Sequence, residues 1–153
     1  MKGGEKMLKD ILNEDLIQVK VSAKSWEEAV ILAGEPLVKQ NKVTSVYIQS
    51  IIEAINEMGP YVVITPGIAF AHSRPDVSVL EDCLSVTTLE TPVEFGSELN
   101  DPVHTIFTFG STNSDEHLDL IQDLAMFLAE EANIELLKTF ESKKELLEEL
   151  IKY

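Results

Sequence analysis

Residues 59–76, GPYVVITPGIAFAHSRPD, decide how this chain is read. Two apolar runs, residues 61–64 and 68–71, are split by Thr65-Pro66-Gly67, and Pro75 closes the stretch. Short apolar runs bounded by Pro and Gly predict buried strands with a turn between them. His72 then falls where a strand ends and the chain leaves the sheet, a place that holds a reactive side chain on a rigid support. Arg74, the only arginine in the chain, follows two residues later.

Upstream, residues 7–12 fit a short amphipathic helix, and residues 16–21 alternate apolar and polar, as a half-buried strand does. Ser25-Trp26-Glu27-Glu28 is a capping box. It opens a helix with Ala29, Val30, Leu32, Ala33, Leu37 and Val38 on one side. Pro36 lies inside that pattern and predicts either a kink or a break into two pieces. Thr44 or Ser45 caps the next helix, whose apolar face is Val46, Ile48, Ile51, Ile52 and Ile55, and Gly59-Pro60 stops it.

Downstream, residues 83–89 read as a strand. Residues 91–101 read as a loop, with room for a brief strand at Val93 and Phe95. Residues 103–109, VHTIFTF, alternate cleanly, and His104 is expected to face the sheet surface. Ser114, Asp115 and Glu116 suit the start of a helix, with a stripe of Leu118, Ile121, Leu124, Ala125 and Leu128 behind them. Asn133 breaks the pattern before a short helix at 134–140, and Ser142 to Glu145 is a second capping box for a last helix ending at Ile151. This order predicts an α/β fold, a mixed sheet with helices on both faces, built as one domain over residues 1–153. Several connections are too short for a purely parallel sheet.

The chain carries 27 acidic against 12 basic residues, a formal charge of −15. That excludes nucleic acid and anionic membrane surfaces as expected partners and suits docking to a protein with a basic face. No apolar run approaches the ~20 residues of a membrane span. The N-terminal MKGGEKMLKDIL lacks the apolar core of a signal peptide, so a cytoplasmic location is expected. The single cysteine, Cys83, forms no intrachain disulfide and reads as a small core residue. His72, His104 and His117 lack metal-ligand spacing, so no metal site is expected.

If His72 ends one strand and His117 opens the helix after another, both reach the same sheet edge. His117 would lie about three residues into its helix, where unpaired N–H groups favour an anion. Arg74 adds a planar fork of donors that matches phosphate oxygens. Two imidazoles, a guanidinium and a helix N-terminus suit a phosphoryl group. An imidazole with its ordinary pKa of about 6.5 is a competent nucleophile at neutral pH, and a phosphohistidine would split transfer into two in-line steps. The sequence has no Walker A loop, so the donor is expected to be a phosphoprotein or small molecule rather than ATP. The absence of a Gly-x-Ser-x-Gly elbow weakens a hydrolase reading.

With these residues in view, the chain resembles an enzyme IIA component of the bacterial phosphoenolpyruvate-dependent sugar phosphotransferase system, in the mannitol/fructose superfamily. The stretches AGEPLVKQNKVTSVYIQSI (33–51), VITPGIAFAHSRPD (63–76) and VEFGSELNDPVHTIFTFGSTNSDEHLDLIQDLAMFL (93–128) carry the likeness. The Pro-Gly-Ile-Ala-x-x-His-x-Arg-Pro form is most similar to the ascorbate-type branch. The resemblance implies a three-layer α/β/α sandwich with a mixed sheet. It implies that His72 accepts a phosphoryl group from the histidine phosphocarrier protein and passes it to a cysteine of enzyme IIB, serving a membrane enzyme IIC indirectly. His117 matches the family's second active-site histidine. No cofactor is implied, and the oligomeric state stays open.

Two positions depart from the pattern: Ala71 stands where most members have Pro, and no arginine occupies the helix near Ala54, where mannitol-type members bind phosphate. Arg74 is expected to take over that charge. Two other readings keep the fold: a regulatory module like the nitrogen-type relatives, and an anion-binding domain without turnover. Phe70 is expected either in an apolar docking patch or in the core.

Overall fold

The computed structural model describes residues 8–74, 76–112 and 118–153. In chain order these form α1 (Leu8–Ile11), β1 (Ile17–Val21), α2 (Trp26–Lys39), α3 (Ser45–Met58), β2 (Val63–Thr65), β3 (Ile68–Ala71), β4 (Cys83–Val93), β5 (Val103–Gly110), α4 (Leu118–Leu128), α5 (Glu131–Leu137) and α6 (Lys143–Leu150). The strands make one mixed sheet in the order β1-β4-β5-β3-β2. β1 runs parallel to β4 and β3 parallel to β5, whereas β4–β5 and β2–β3 are antiparallel. With helices packed on the sheet, the result is the three-layer α/β/α sandwich expected from the sequence.

The predicted turn is present. Pro66 and Gly67 fit the two central positions of a type II turn, and Gly67 takes the positive φ, 83°, that its second position requires. The Gly67 N–H donates to the Asn100 carbonyl at 2.9 Å, and its own carbonyl accepts the His104 N–H at 2.8 Å. The turn is thus tied to the start of β5.

Pro36 does not break α2 in two: one helix runs from Trp26 to Lys39. A proline N–H is missing, so the carbonyl four residues back, that of Leu32, loses its helical partner. The Gln18 side chain on β1 supplies the donor, with Nε2 2.8 Å from the Leu32 oxygen and 3.0 Å from Thr87 Oγ1. The Ser85 hydroxyl donates to the neighbouring Ala33 carbonyl at 2.9 Å. Gln18→Met keeps the length and removes the donor; its stability to urea is expected to fall by about 1–2 kcal/mol, the cost of leaving a carbonyl unpaired.

Other elements depart from the sequence reading in instructive ways. The Ser25 hydroxyl caps α2 as predicted, accepting the Glu28 N–H at 3.2 Å. Thr44 makes no such side-chain bond at the start of α3. On α3 Ile48, Ile51, Ile52 and Ile55 are buried as expected, but Tyr47 takes the first position of the packed face and Val46 is 64% exposed. β4 continues to Val93 through residues assigned to a loop. Its pairing with β1 stops at Leu89, and its register with β5 shifts between Thr88 and Val93. Pro92 is tolerated at such a bulged edge.

α4 buries Leu120, Asp123, Leu124 and Phe127 and leaves Ile121 and Ala125 outward. Asn133 does not break α5 but lies inside it, buried, with Nδ2 2.8 Å from the Phe127 carbonyl at the end of α4. All eight residues of β5 are buried, His104 included, so that residue does not lie on a solvent-facing surface. A strand inside a sheet that is covered on both faces hides both sets of side chains.

Candidate functional site

Because β3 and β5 are parallel and in register, Ala71 opposite Thr108, both strands leave the sheet at the same edge. Crevices at the C-terminal ends of strands are where α/β sheets place ligands. His72 is the first residue beyond β3 and is exposed. Its Nδ1 lies 2.7 Å from the Phe70 carbonyl oxygen. A carbonyl can only accept, so Nδ1 carries a proton, and in the neutral ring the lone pair lies on Nε2.

Two tyrosines support the backbone here. The Tyr61 hydroxyl donates to the His72 carbonyl at 2.5 Å, and its ring meets the imidazole edge-on, centroids 5.4 Å apart at 82°. The Tyr47 hydroxyl donates to the Phe109 carbonyl at 2.5 Å and accepts the Ser73 N–H at 3.0 Å. Burial pushes both phenols above their ordinary pKa, Tyr47 the further, so both remain donors across the physiological range. The sequence reading passed over these two residues. A tyrosine inside an apolar pattern, carrying a hydroxyl that needs a partner, is the signal that marks them.

A cleft of about 710 Å³ opens beside His72, with Ala54, Glu57, Met58, Arg74 and Ile121 among its walls. Arg74 is exposed and has no ion-pair partner among the described residues. Asp76, also on the cleft, is turned into its own loop, where its carboxylate accepts from the Ser78 hydroxyl and N–H. These bonds hold the carboxyl below its ordinary range. The cleft therefore joins a permanent cation, an imidazole whose Nε2 has no hydrogen-bond partner among the described residues, and an apolar wall. His117 lies outside the described residues, as do Ser114, Asp115 and Glu116; α4 begins just after them, and its Ile121 reaches the cleft.

Phe70 belongs to the core: it is 7% exposed, and its ring packs on Phe107 and Phe109 at centroid distances of 5.5 and 5.2 Å. Cys83 is fully buried, and burial pushes its thiol up to about 12, which removes it as a nucleophile.

At the opposite sheet edge His104 sits beside a second cleft with Gly67, Glu135 and Lys138. Its Nδ1 pairs with Thr105 Oγ1 at 2.8 Å, and its Nε2 has no hydrogen-bond partner among the described residues. Burial first, then the nearby Lys138, lowers its pKa to about 4, against a smaller opposing pull from Glu135. The unfolded chain therefore takes up this proton at a higher pH than the native one. The stability held by neutral His104 is complete above pH 6.5 and is lost as pH falls towards 4, by about 2 kcal/mol at pH 5. Urea titrations at pH 7 and pH 5 are expected to show a drop about that much larger for the wild type than for His104→Gln.

Comparison with known proteins places this geometry in context. Residues 10–153 match the family model described as phosphoenolpyruvate-dependent sugar phosphotransferase system, EIIA 2. The ascorbate-specific PTS system EIIA component of Salmonella choleraesuis (strain SC-B67) is 34% identical over 143 residues, covering 92% of this chain and 93% of that protein. The solution structure of the mannitol-specific cryptic phosphotransferase enzyme IIA of Escherichia coli superposes with a TM-score of 0.86 at 33% identity, over 97% of this chain and all of that one. The enzyme IIA of the mannitol system, solved in complex with phosphorylated enzyme IIB from Escherichia coli, gives a TM-score of 0.81 at 28% identity, over 93% of this chain and 98% of that one. Among the described residues no helix is long and apolar enough to cross a membrane.

Proposed function

The chain belongs to the EIIA type 2 family of the phosphoenolpyruvate-dependent sugar phosphotransferase system, and from that premise we propose that its phosphoryl group is carried on His72 Nε2. The observation that carries this reading is the bond from His72 Nδ1 to the Phe70 carbonyl, which in the neutral ring leaves the lone pair on Nε2, beside a cleft that also holds Arg74.

The donor is the phosphorylated histidine phosphocarrier protein. The Nε2 lone pair attacks its phosphorus in line; the new N–P bond forms as the donor's N–P bond breaks, and the donor imidazole keeps that electron pair. The His72 ring then bears positive charge, and its Nδ1–H bond to Phe70 becomes charge-assisted, which favours the phosphorylated state. In the second step a cysteine thiolate of enzyme IIB attacks the same phosphorus, the His72 N–P bond breaks, and Nε2 recovers its pair. No water takes part, and no cofactor is required. The solved complex of the mannitol enzyme IIA with phosphorylated enzyme IIB supports that acceptor. His117 is assigned the family's second histidine, holding the phosphoryl oxygens.

Arg74 is assigned the charge that mannitol-type members place on the helix. Its support is that Ala54, near the vacated position, and Arg74 line one cleft. Arg74→Ala is expected to slow phosphoryl acceptance about tenfold or more, with Arg74→Lys recovering part of the loss, because an ammonium restores charge without the bidentate fork. An Arg74→Ala variant that accepts phosphoryl at the wild-type rate would remove this role.

The coupled solute is proposed to be ascorbate, on the strength of the ascorbate-specific relative, and the protein to work in the cytoplasm as one domain. The deciding assay mixes the chain with phosphoenolpyruvate, enzyme I and the phosphocarrier protein and reads intact mass. One acid-labile, base-stable phosphoryl group is expected. Absence of the label while the relay phosphorylates another acceptor would overturn the reading. Uptake of labelled ascorbate against mannitol in cells lacking this chain then separates the two solutes.

A further inference from the structure

We propose that Tyr47 and Tyr61 are paired positioning residues that clamp a single peptide unit, the one joining His72 to Ser73, and so aim the His72 imidazole. The inference rests on the phosphoryl-carrier reading above and adds to it the part that fixes the nucleophile.

The two phenols grip opposite ends of the same plane. The His72 carbonyl accepts from the Tyr61 hydroxyl at 2.5 Å, and the Ser73 N–H donates to the Tyr47 oxygen at 3.0 Å. The Tyr47 proton continues to the Phe109 carbonyl at 2.5 Å, a closer acceptor than the Ser73 carbonyl at 3.4 Å. Every donor in this chain points the same way, from Tyr61 through the peptide to Tyr47 and on to β5. Bonds aligned head to tail polarise one another, so each strengthens the next.

The anchoring is unequal, and that is informative. Tyr47 stands on α3 and is 1% exposed, locked in the core. Tyr61 lies between α3 and β2, is half-buried, and adds the edge-on ring contact with the imidazole. His72 itself is exposed and, among the described residues, its side chain has one hydrogen bond, to Phe70. Without the clamp the 72–73 peptide could rotate and carry the imidazole with it. In-line transfer is sensitive to such displacement, since rate depends on holding the reacting atoms near the attack geometry. Neither phenol bonds the reacting Nε2; both act through the backbone of His72.

The test uses Tyr61→Phe, which keeps the ring and removes the hydroxyl, Tyr61→Leu, which removes both, and Tyr47→Phe. In Tyr61→Phe the kcat for phosphoryl acceptance from the phosphorylated phosphocarrier protein is expected to fall about 3- to 10-fold, the worth of one hydrogen bond. KM for that donor should be unchanged, and the Tm should fall by no more than a few degrees. NMR of the unphosphorylated chain should show the His72 ring nitrogens moving away from a pure Nδ1–H tautomer. Tyr47→Phe is expected to raise exchange of the Ser73 amide at least about tenfold, because its acceptor is gone. Wild-type kcat together with wild-type ring-nitrogen shifts in Tyr61→Phe would overturn the clamp. The NMR arms need no phosphoryl group, so they judge it even if the wild type proves unable to accept one, a result that strikes the carrier reading alone. Should Tyr47→Phe fail to fold, the two Tyr61 variants still decide.

Discussion

His72→Ala is expected to reduce phosphoryl acceptance at least about a thousandfold, since removing a nucleophile eliminates the covalent route rather than weakening it. Stability should barely respond. His72 is exposed beyond the end of β3, and among the described residues its side chain bonds the Phe70 carbonyl and meets the Tyr61 ring. Losses at exposed positions of this kind stay within about 1 kcal/mol. An intact-mass assay run beside a thermal melt separates the two effects. A variant that melts like the wild type and carries no label assigns the chemistry to this imidazole. A variant that is still labelled moves the phosphoryl group elsewhere and ends the assignment. In the wild type, site-specific fragmentation and the ring-nitrogen resonances should place the label on Nε2, because Nδ1 is held by Phe70. A label on Nδ1 would require that bond to break first.

The largest expected effect on stability comes from Gly67→Ala. Gly59 and Gly67 share nearly the same φ, 87° and 83°, so alanine is strained at both. The backbone part of that strain is about 1–2 kcal/mol. Around Gly59 a Cβ meets nothing within 4 Å, whereas at Gly67 it lies 2.5 Å from both Cδ2 and Nε2 of His104. That ring is buried and hydrogen-bonded to Thr105, so it cannot swing aside freely. Overpacking adds about 1–3 kcal/mol, for a total of about 2–5 kcal/mol at Gly67 against about 1–2 at Gly59. Parallel urea titrations of the two variants measure the contact as their difference. Equal losses would mean that the His104 ring yields.

The sheet was legible because its signals are local. Thr65-Pro66-Gly67 between apolar runs can hardly be anything but a turn, and the alternation of residues 103–109 marks a strand. What escaped the sequence was supplied from across the fold. Pro36 stays inside α2 because Gln18, on a different element, covers the Leu32 carbonyl. No window around Pro36 contains that information. β4 was cut short because Pro92 argues against a strand, and the edge that tolerates it exists only once the register with β5 is set. His104 looked like a surface residue because alternation implies one wet face, and β5 has none.

The candidate site divides in the same way. His72 and Arg74 stand within one motif and share one cleft. Tyr47 and Tyr61 could be counted as apolar pattern, but their hydroxyls find partners only at the ends of β3 and β5. Tyr47 can be buried where Val46 is not because its phenol finds a partner there for its proton.

The burial of Cys83 has a practical consequence for instrumenting the molecule. It is the chain's single cysteine and is sealed from solvent, so thiol reagents find no native competitor. Leu99 is 90% exposed in the connection between β4 and β5, at the end of the sheet away from His72. A maleimide fluorophore or surface tether on Leu99→Cys would attach at one defined point, and an immobilised carrier would present its His72 end to the bulk, ready for time-resolved encounter measurements with donor and acceptor in turn.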